Sequence, residues 1–326
     1  MSLDSEILSA LRRAEDGSVS GAELSQRLGI SRAAVWARIE DLRKLGYEIE
    51  ASPHQGYRLL HVPDVLHGDD LLSRLPETPV IGRDIRVFEK TTSTNDVMEK
   101  LALDGVPEGV VVFAECQTRG RGRLGRHWNS PARKGLWFSV LLRPKVRPDA
   151  ATQLTIAAAI ALARAIRSQT GLRPEIKWPN DILLRGKKAA GILTEMSAEL
   201  DTVKFLILGI GVDVNLATAE FPPELRKIAT SLRIESGAMV DRAALATAIL
   251  RELDRDYARI CAGKFEEVAD EWEAQCQTLG RHVAIRVGER DVRGRAESLD
   301  SDGALLVRTQ HGHLERIIGG DVMLEK

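Results

Sequence analysis

Cysteine is scarce in this chain: three residues among 326, Cys116, Cys261 and Cys276, lie far apart. Such spacing excludes a disulfide framework and a zinc site built from paired ligands, and it suits a reducing cytosol. An excess of either charge is also missing. Lys and Arg number 46 against 47 Asp and Glu, a net charge of −1, so global charge points to no polyanionic partner. There is no long apolar run. The most apolar, Ile156 to Ala163, is rich in alanine and stops at Arg164; it is too short to span a bilayer and predicts a buried helix. The opening MSLDSEILSALRR places acids before any apolar run and shows no small-residue cleavage site. No signal peptide and no membrane partner are expected, and the chain reads as soluble and cytoplasmic. Catalytic triads, Cys-His pairs and metal-ligand spacings are absent too, and His127 stands alone in its neighbourhood.

What is present falls into three blocks, 1–62, 63–277 and 278–326. In the first, Ile7, Leu8 and Leu11 have helical spacing, and Gly21 to Leu28 forms a second helix ended by Gly29. Ser31 is an N-cap for a third helix reaching about Leu45, with Val35, Ile39 and Leu42 facing a core. Two helices across a short glycine turn, followed by YEIEASPHQGYRLL as two strands around a turn, predict a winged helix-turn-helix. The outward side of the third helix carries Ser31, Arg32, Trp36, Arg38 and Arg43, residue types suited to phosphates and base edges in a major groove. The same fold also serves protein contacts, and the block is not basic, with eight Lys and Arg against nine Asp and Glu.

The middle block mixes strands (Ile85–Phe88, Val110–Ala114, Leu136–Leu142, Ile182–Leu184, Ile192–Met196, Phe205–Val214) with helices at Asn95–Leu103, Ala150–Thr170 and Asp241–Ala262. A further short helix is expected around Asp69 to Leu75. Strands outnumber crossover helices, so an α+β sheet with helices packed on one face is expected. The last block shows four short strands (Val283–Val287, Val292–Ala296, Leu305–Arg308, Leu314–Ile318), which predict a small β-barrel.

The chemistry concentrates at strand ends. TRGRGRLGRHW, Thr118 to Trp128, is flexible and cationic at once. It lacks the Gly-Lys-Ser/Thr ending of a P-loop and is not expected to be a Rossmann turn; by itself it is equally a solvated basic turn. TTSTND, Thr91 to Asp96, offers hydroxyls for a small polar ligand or a plain helix cap. IKWPND sets Lys177, Asn180 and Asp181 around Trp178-Pro179, GKKAAGIL is a basic hairpin in which Gly191 allows close approach, and GIGVDVN follows an apolar run. Each of these three alone is equally an ordinary turn or hairpin. Together, Arg121, Arg123, Arg126, Lys177 and Lys188 with one carboxylate form a set that stabilises phosphate charge in a transition state without a protein nucleophile. A carboxylate substrate attacking the α-phosphate of ATP is served this way, with Mg²⁺ shared between phosphates and Asp181.

GRGRLGRHW, KWPND, KKAAGIL and GIGVDVN, in that order and spacing, resemble the biotin–protein ligases over essentially the whole chain. The winged helix makes the chain similar to their bifunctional ligase and biotin-operon repressor form. The resemblance implies an α+β multidomain fold: an N-terminal winged helix-turn-helix, a central mixed-sheet domain like that of class II synthetases, and an SH3-like C-terminal barrel containing GALLV and IIGGDV. It implies biotin, ATP and Mg²⁺ as ligands, and a biotinyl-5′-AMP intermediate that is passed to a lysine of biotin carboxyl carrier protein. Ser93, Thr94, Gln117 and Gly191 would hold biotin's ureido ring and neighbouring groups. Arg121 and Arg123 would lie in a loop closing over the adenylate, and Lys188 would pair with the biotin carboxylate and α-phosphate. Lys177, Asn180 and Asp181 would meet phosphates and metal, with Arg126 and Trp128 on the adenylate side. An adenylate-dependent homodimer through an edge of the central sheet would bind operator DNA, with Ile192–Ser197 as first candidate edge and Leu136–Leu142 as second. Leu124 stands where some relatives carry another arginine, and no catalytic residue is placed in DVMLEK. The alternatives are a ligase for another acid such as lipoate, a ligand-responsive transcription factor without catalysis, and a ligase with a vestigial DNA-binding domain.

Overall fold

Three serines start the N-terminal helices. Ser2, Ser20 and Ser31 each accept a hydrogen bond from a backbone N–H three residues ahead, and these caps set helix starts that apolar periodicity alone leaves loose. A computed structural model describes residues 2–14, 17–52, 55–75, 78–200 and 202–324. The chain divides into two compact units, Met1–Glu77 and Thr78–Lys326.

In the first unit, α1 (Leu3–Arg13), α2 (Gly21–Leu28) and α3 (Arg32–Lys44) bury Ile7, Leu8, Leu24, Val35, Ile39 and Leu42 in one core. Gly29 turns the chain between α2 and α3 at φ 65°, a left-handed conformation that favours glycine. Strands β1 (Glu48–Ser52) and β2 (Gly56–His61) pair antiparallel as the wing; Pro53 and His54 of the expected turn lie outside the described residues. Helix α4 (Gly68–Arg74) docks on α1, where Arg12 bonds Asp70 and Ser73.

The second unit begins with β3 (Asp84–Phe88), α5 (Thr94–Leu103), β4 (Val110–Ala114), β5 (Leu136–Leu142) and α6 (Thr152–Thr170). Then come β6 (Glu175–Lys177), β7 (Asp181–Leu184), β8 (Lys187–Glu199), β9 (Thr202–Val212), α7 (Leu232–Ser236), α8 (Arg242–Cys261) and α9 (Phe265–Glu273). The seven strands form one mixed sheet in the order β3-β4-β5-β9-β8-β7-β6, parallel between β3 and β4 and antiparallel elsewhere. Strand β6 was not expected, because three residues carry no periodicity. Helix α9 also goes beyond the sequence expectation; it buries one face through Phe265, Val268 and Trp272.

Helices cover both faces of this sheet, which corrects the one-face expectation. Thr194 and Glu195 are adjacent on β8 and so point to opposite sides. Thr155 of α6 meets Thr194, whereas Asn95 of α5 meets Glu195. The long helices α6, α8 and α9 pack together. There Arg164 bonds Glu252, Asp256 and Glu271, closing the apolar run with an ion-pair network. The segment Pro148–Thr170 is long and apolar enough to cross a membrane, but it is mostly buried against other protein elements. The second candidate edge, Leu136–Leu142, lies between β4 and β9 and is interior. By contrast, β7 pairs with β8 only over Lys187 to Gly191, so the part of β8 beyond Ile192 has a ladder partner on one side only.

The chain ends in a five-stranded antiparallel sheet of β10 (His282–Val287), β11 (Arg290–Leu299), β12 (Leu305–Thr309), β13 (Leu314–Ile317) and β14 (Asp321–Leu324), in the order β13-β12-β11-β10-β14. The fifth strand falls in DVMLEK, whose mixed charge hid it; Glu325 and Lys326 lie outside the described residues.

Candidate active site

The site is built on a glycine crossing. Gly191 of β8 pairs with Gly211 of β9, and a Cβ on either would meet the Trp128 indole, at 2.9 Å and 2.6 Å respectively. The two glycines leave a flat floor on which Trp128 lies, edge-on to Trp137 at 6.4 Å between ring centroids. Lys188 Nζ stands 5.1 Å from the Trp128 ring centroid and 2.6 Å from Asp181 Oδ1. A cation between a π face and a carboxylate is held in one place.

The arginine loop is a hairpin. Gly122 N donates to Arg126 O at 2.7 Å and Trp128 N to Gly120 O at 2.9 Å, and the tip turns through Leu124 (φ 55°) and Gly125 (φ 72°). Gly120 to Gly125 does spell G-x-G-x-x-G. It leads into no α-helix, however, so the structure excludes a dinucleotide turn. The arginines spread outwards from the hairpin. Arg121 bonds Asp96 at 2.8 Å and Glu195 at 2.9 Å, Arg123 donates to Asn180 Oδ1 at 3.0 Å, and Arg126 grips Asp321 with both terminal nitrogens. Burial lowers the pKa of the Arg123 guanidinium, with Asp181 and Asp321 acting in the opposite direction.

Loop, floor and strand ends enclose a cavity of about 660 Å³, within the roughly 300–1,000 Å³ usual for small-molecule sites. Ser93, Thr94 and Gln117 line it; so do Arg121, Arg123, Arg126 and Trp128, and also Lys177, Asn180, Asp181, Lys188 and Gly191. Ser93 occupies the N-cap position of α5 without making a capping bond, so the plain-cap reading does not describe its hydroxyl. Gln117 Oε1 accepts from Thr94 N at 2.8 Å, and its Nε2 donates to Ser130 at 2.9 Å. Asn180 is held by Ile192 on both its backbone and its side chain, at 3.0 and 2.7 Å, which ties KWPND to β8.

Asn95, Asp213 and Asp321 are among the cavity residues that the sequence does not single out. Asn95, inside TTSTND, reads from the sequence only as the start of a helix. Asp213, inside GIGVDVN, is buried beside Lys188; burial pushes its carboxyl well above the usual carboxylate range, and Lys188 pulls the other way. Asp321 lines the cavity from the C-terminal sheet and pairs with Arg126, so DVMLEK, on which the sequence places no catalytic residue, still contributes to the site's wall. IIGGDV was its only signal: glycines beside an acid. Among the described residues there is no cluster of three or more metal-ligating side chains. Asp181 and Asp321 are each paired with a cation. This donor set suits only a metal that arrives on phosphates, with one protein carboxylate completing its shell.

In the first unit, Arg32, Trp36 and Arg38 are exposed on α3, with Trp36 57% accessible. Ser31 is exposed as well, its hydroxyl capping the helix through Ala34 N. Arg38 lies 3.9 Å from Asp4. Arg43 is the exception to the outward set, because it donates to Ile49 O of the wing and to Glu40. Its work is to tie helix to wing.

The mixed sheet, arginine hairpin and C-terminal sheet are those of a cofactor–protein ligase. Residues 87–215 match the biotin/lipoate A/B protein ligase family, residues 5–58 an HTH domain, and residues 278–324 the biotin protein ligase C terminal domain. The chain is 39% identical over 322 residues to the bifunctional ligase/repressor BirA of Bacillus spizizenii, covering 99% of this chain and 98% of that protein. It is 30% identical to its namesake in Escherichia coli, covering 94% and 92%. The biotin protein ligase of Aquifex aeolicus, solved with biotin and ATP, superposes with a TM-score of 0.64 at 30% identity, over 75% of this chain and 99% of that one. The chain belongs to the biotin protein ligases, in the group of bifunctional ligase/repressors.

Proposed function

We propose that this chain activates biotin with ATP and transfers it to a lysine of biotin carboxyl carrier protein, and that the adenylate it makes also governs repression of biotin genes. The observation that carries the reading is Lys188, fixed between Trp128 and Asp181 on the floor of a cavity gathering three arginines. In the first step a biotin carboxylate oxygen bonds to the α-phosphorus of ATP and pyrophosphate leaves. Lys188 offsets charge on the carboxylate and the α-phosphate, Arg123 and Arg126 offset it on the phosphates, and Lys177 and Asn180 help to orient them. Asp181 would hold Mg²⁺ brought by the nucleotide, which when bound neutralises phosphate charge. In the second step the carrier amine bonds to the acyl carbon and AMP leaves. Ser93, Thr94, Gln117 and Gly191 are assigned to biotin, and Trp128 to the adenylate side.

Mass spectrometry of a carrier domain incubated with biotin, ATP and the chain should show a single added biotin on one lysine. No addition, or equal addition from lipoate, would overturn the reading. Arg121→Gly or Arg123→Gly should weaken loop closure and release the adenylate, seen as biotin on bystander proteins. Variants that stay faithful to the carrier lysine would remove the lid role.

The modules are assigned as 1–62 for DNA, 63–277 for catalysis and 278–326 as the SH3-like domain, in a cytoplasmic protein. Ser31, Arg32, Trp36 and Arg38 are the DNA-facing set. The half of β8 beyond Ile192 supports a homodimer, because its outer ladder is open and Met196 is exposed there. A gel shift on the chain's own biotin-gene promoter should appear with biotinyl-AMP and weaken by about tenfold in Arg32→Ala. No shift under either condition would restrict the chain to ligation.

A further inference from the structure

One line of side-chain hydrogen bonds runs from the cavity to the arginine loop through residues that the mechanism above leaves unused. The Thr94 hydroxyl lies 2.8 Å from Ser139 Oγ, Ser139 Oγ 2.5 Å from Asn95 Oδ1, and Asn95 Nδ2 2.7 Å from Glu195 Oε2. The same Glu195 oxygen takes Arg121 Nη2 at 2.9 Å, and Arg121 Nη1 reaches Asp96 at 2.8 Å. Proton direction is set from Glu195 back to Ser139. A carboxylate only accepts, so Asn95 must turn its NH₂ to Glu195 and its oxygen to Ser139. Ser139 therefore gives its one proton to Asn95 Oδ1, and the Thr94 hydroxyl beside it has two acceptors within reach, Ser139 Oγ at 2.8 Å and Gln117 Oε1 at 3.3 Å.

The first members of the line are built in, whereas its end is loose. Asn95 is 3% exposed, and a Cβ on Gly209 would collide with it, so β9 is shaped around this amide. Thr94, Asn95 and Arg121 line the cavity, but Asp96 and Glu195 do not; they stand behind the arginine. The side chains of Arg121, Asp96 and Glu195 are 42%, 30% and 40% exposed, and ion pairs in such surroundings are weak. An anion in the cavity can therefore take Arg121 from them, while Asn95 keeps Glu195 in place for its return.

Resting on the ligase reading for its ligand, we infer that Glu195, aimed by Asn95, is a positioning residue that sets the station of Arg121 and links a ligand at Thr94 to the arginine loop. The test is hydrogen exchange on the full chain, reading the hairpin amides of Gly122 and Trp128. Wild type is compared with Glu195→Gln, Arg121→Gln and the double variant. Gln still accepts from Asn95 but loses the charge that holds Arg121, so the sheet is undisturbed. Each single variant should lower protection without ligand by about threefold, and the double by no more than either single. Unchanged protection in Glu195→Gln, or additive losses in the double, would overturn the proposal. Adding biotin should then change hairpin protection in wild type and not in Glu195→Gln; an equal response in both would also overturn it. If wild type binds no biotin by calorimetry, the ligase reading fails, while the ligand-free comparison still decides the role of Glu195.

Discussion

Lys188→Ala should lower biotinyl-adenylate formation by roughly 100- to 1,000-fold, the usual cost of removing one preorganised group that offsets transition-state charge. The effect is large because the ammonium is held by Asp181 at 2.6 Å and the Trp128 face at 5.1 Å, so no reorganisation is needed as charge develops on the α-phosphate. The fold should survive. The backbone of Lys188 is paired through Ile228 O and Thr230 N whatever side chain it carries, and Asp181, being partly exposed, can be solvated once its partner is gone. Pyrophosphate exchange with biotin and ATP measures the loss, and an unchanged thermal transition checks the fold. Exchange within threefold of wild type would end the role given to Lys188.

Arg242→Met should destabilise the second unit by about 3–5 kcal/mol, the cost of breaking a buried ion pair from one side. Arg242 begins α8 with its side chain fully buried, and it donates to Glu115 at 2.5 and 3.2 Å and to Gly135 O at 3.3 Å. Its loss takes the guanidinium charge and two donors away from the Glu115 carboxylate, 3% exposed, at the end of β4. Replacing both partners, as Glu115→Leu with Arg242→Met, should recover most of the loss, because two apolar groups of similar volume need no solvation. Urea denaturation of the single and double variants reads both values; a single variant within about 1 kcal/mol of wild type would mean that the pair carries no such energy. Glu115 lies two residues before Gln117, so the single variant should also weaken biotin binding.

The parts legible in the sequence are those set by neighbours along the chain. Ser31 before an apolar stripe marks α3, and four β-branched or aromatic residues in a row, Val110 to Phe113, mark β4, because capping and burial periodicity are local. The cations of the site were legible as residue types: Arg121, Arg123, Lys177 and Lys188 sit in short polar stretches at strand ends. Their partners were not. Glu195 is one of two acids in β8, Asp96 one residue of a helix start, and Asp321 one residue of a terminal stretch. Nothing within a few positions of any of them names the arginine it holds.

The sequence by itself determined the three helices and wing of the first unit, most strands of the second, and an ordered set of motifs that places the chain among its relatives. Tertiary structure alone decided that Gly191 and Gly211 lie together under Trp128 and that Leu136–Leu142 is interior. It also turned Arg43 inward and brought Asp321 to Arg126 from 195 residues away. The physical reason is range. Caps, turns and periodic burial act over a few residues, whereas sheet order and ion pairing depend on which distant surfaces come to share one core.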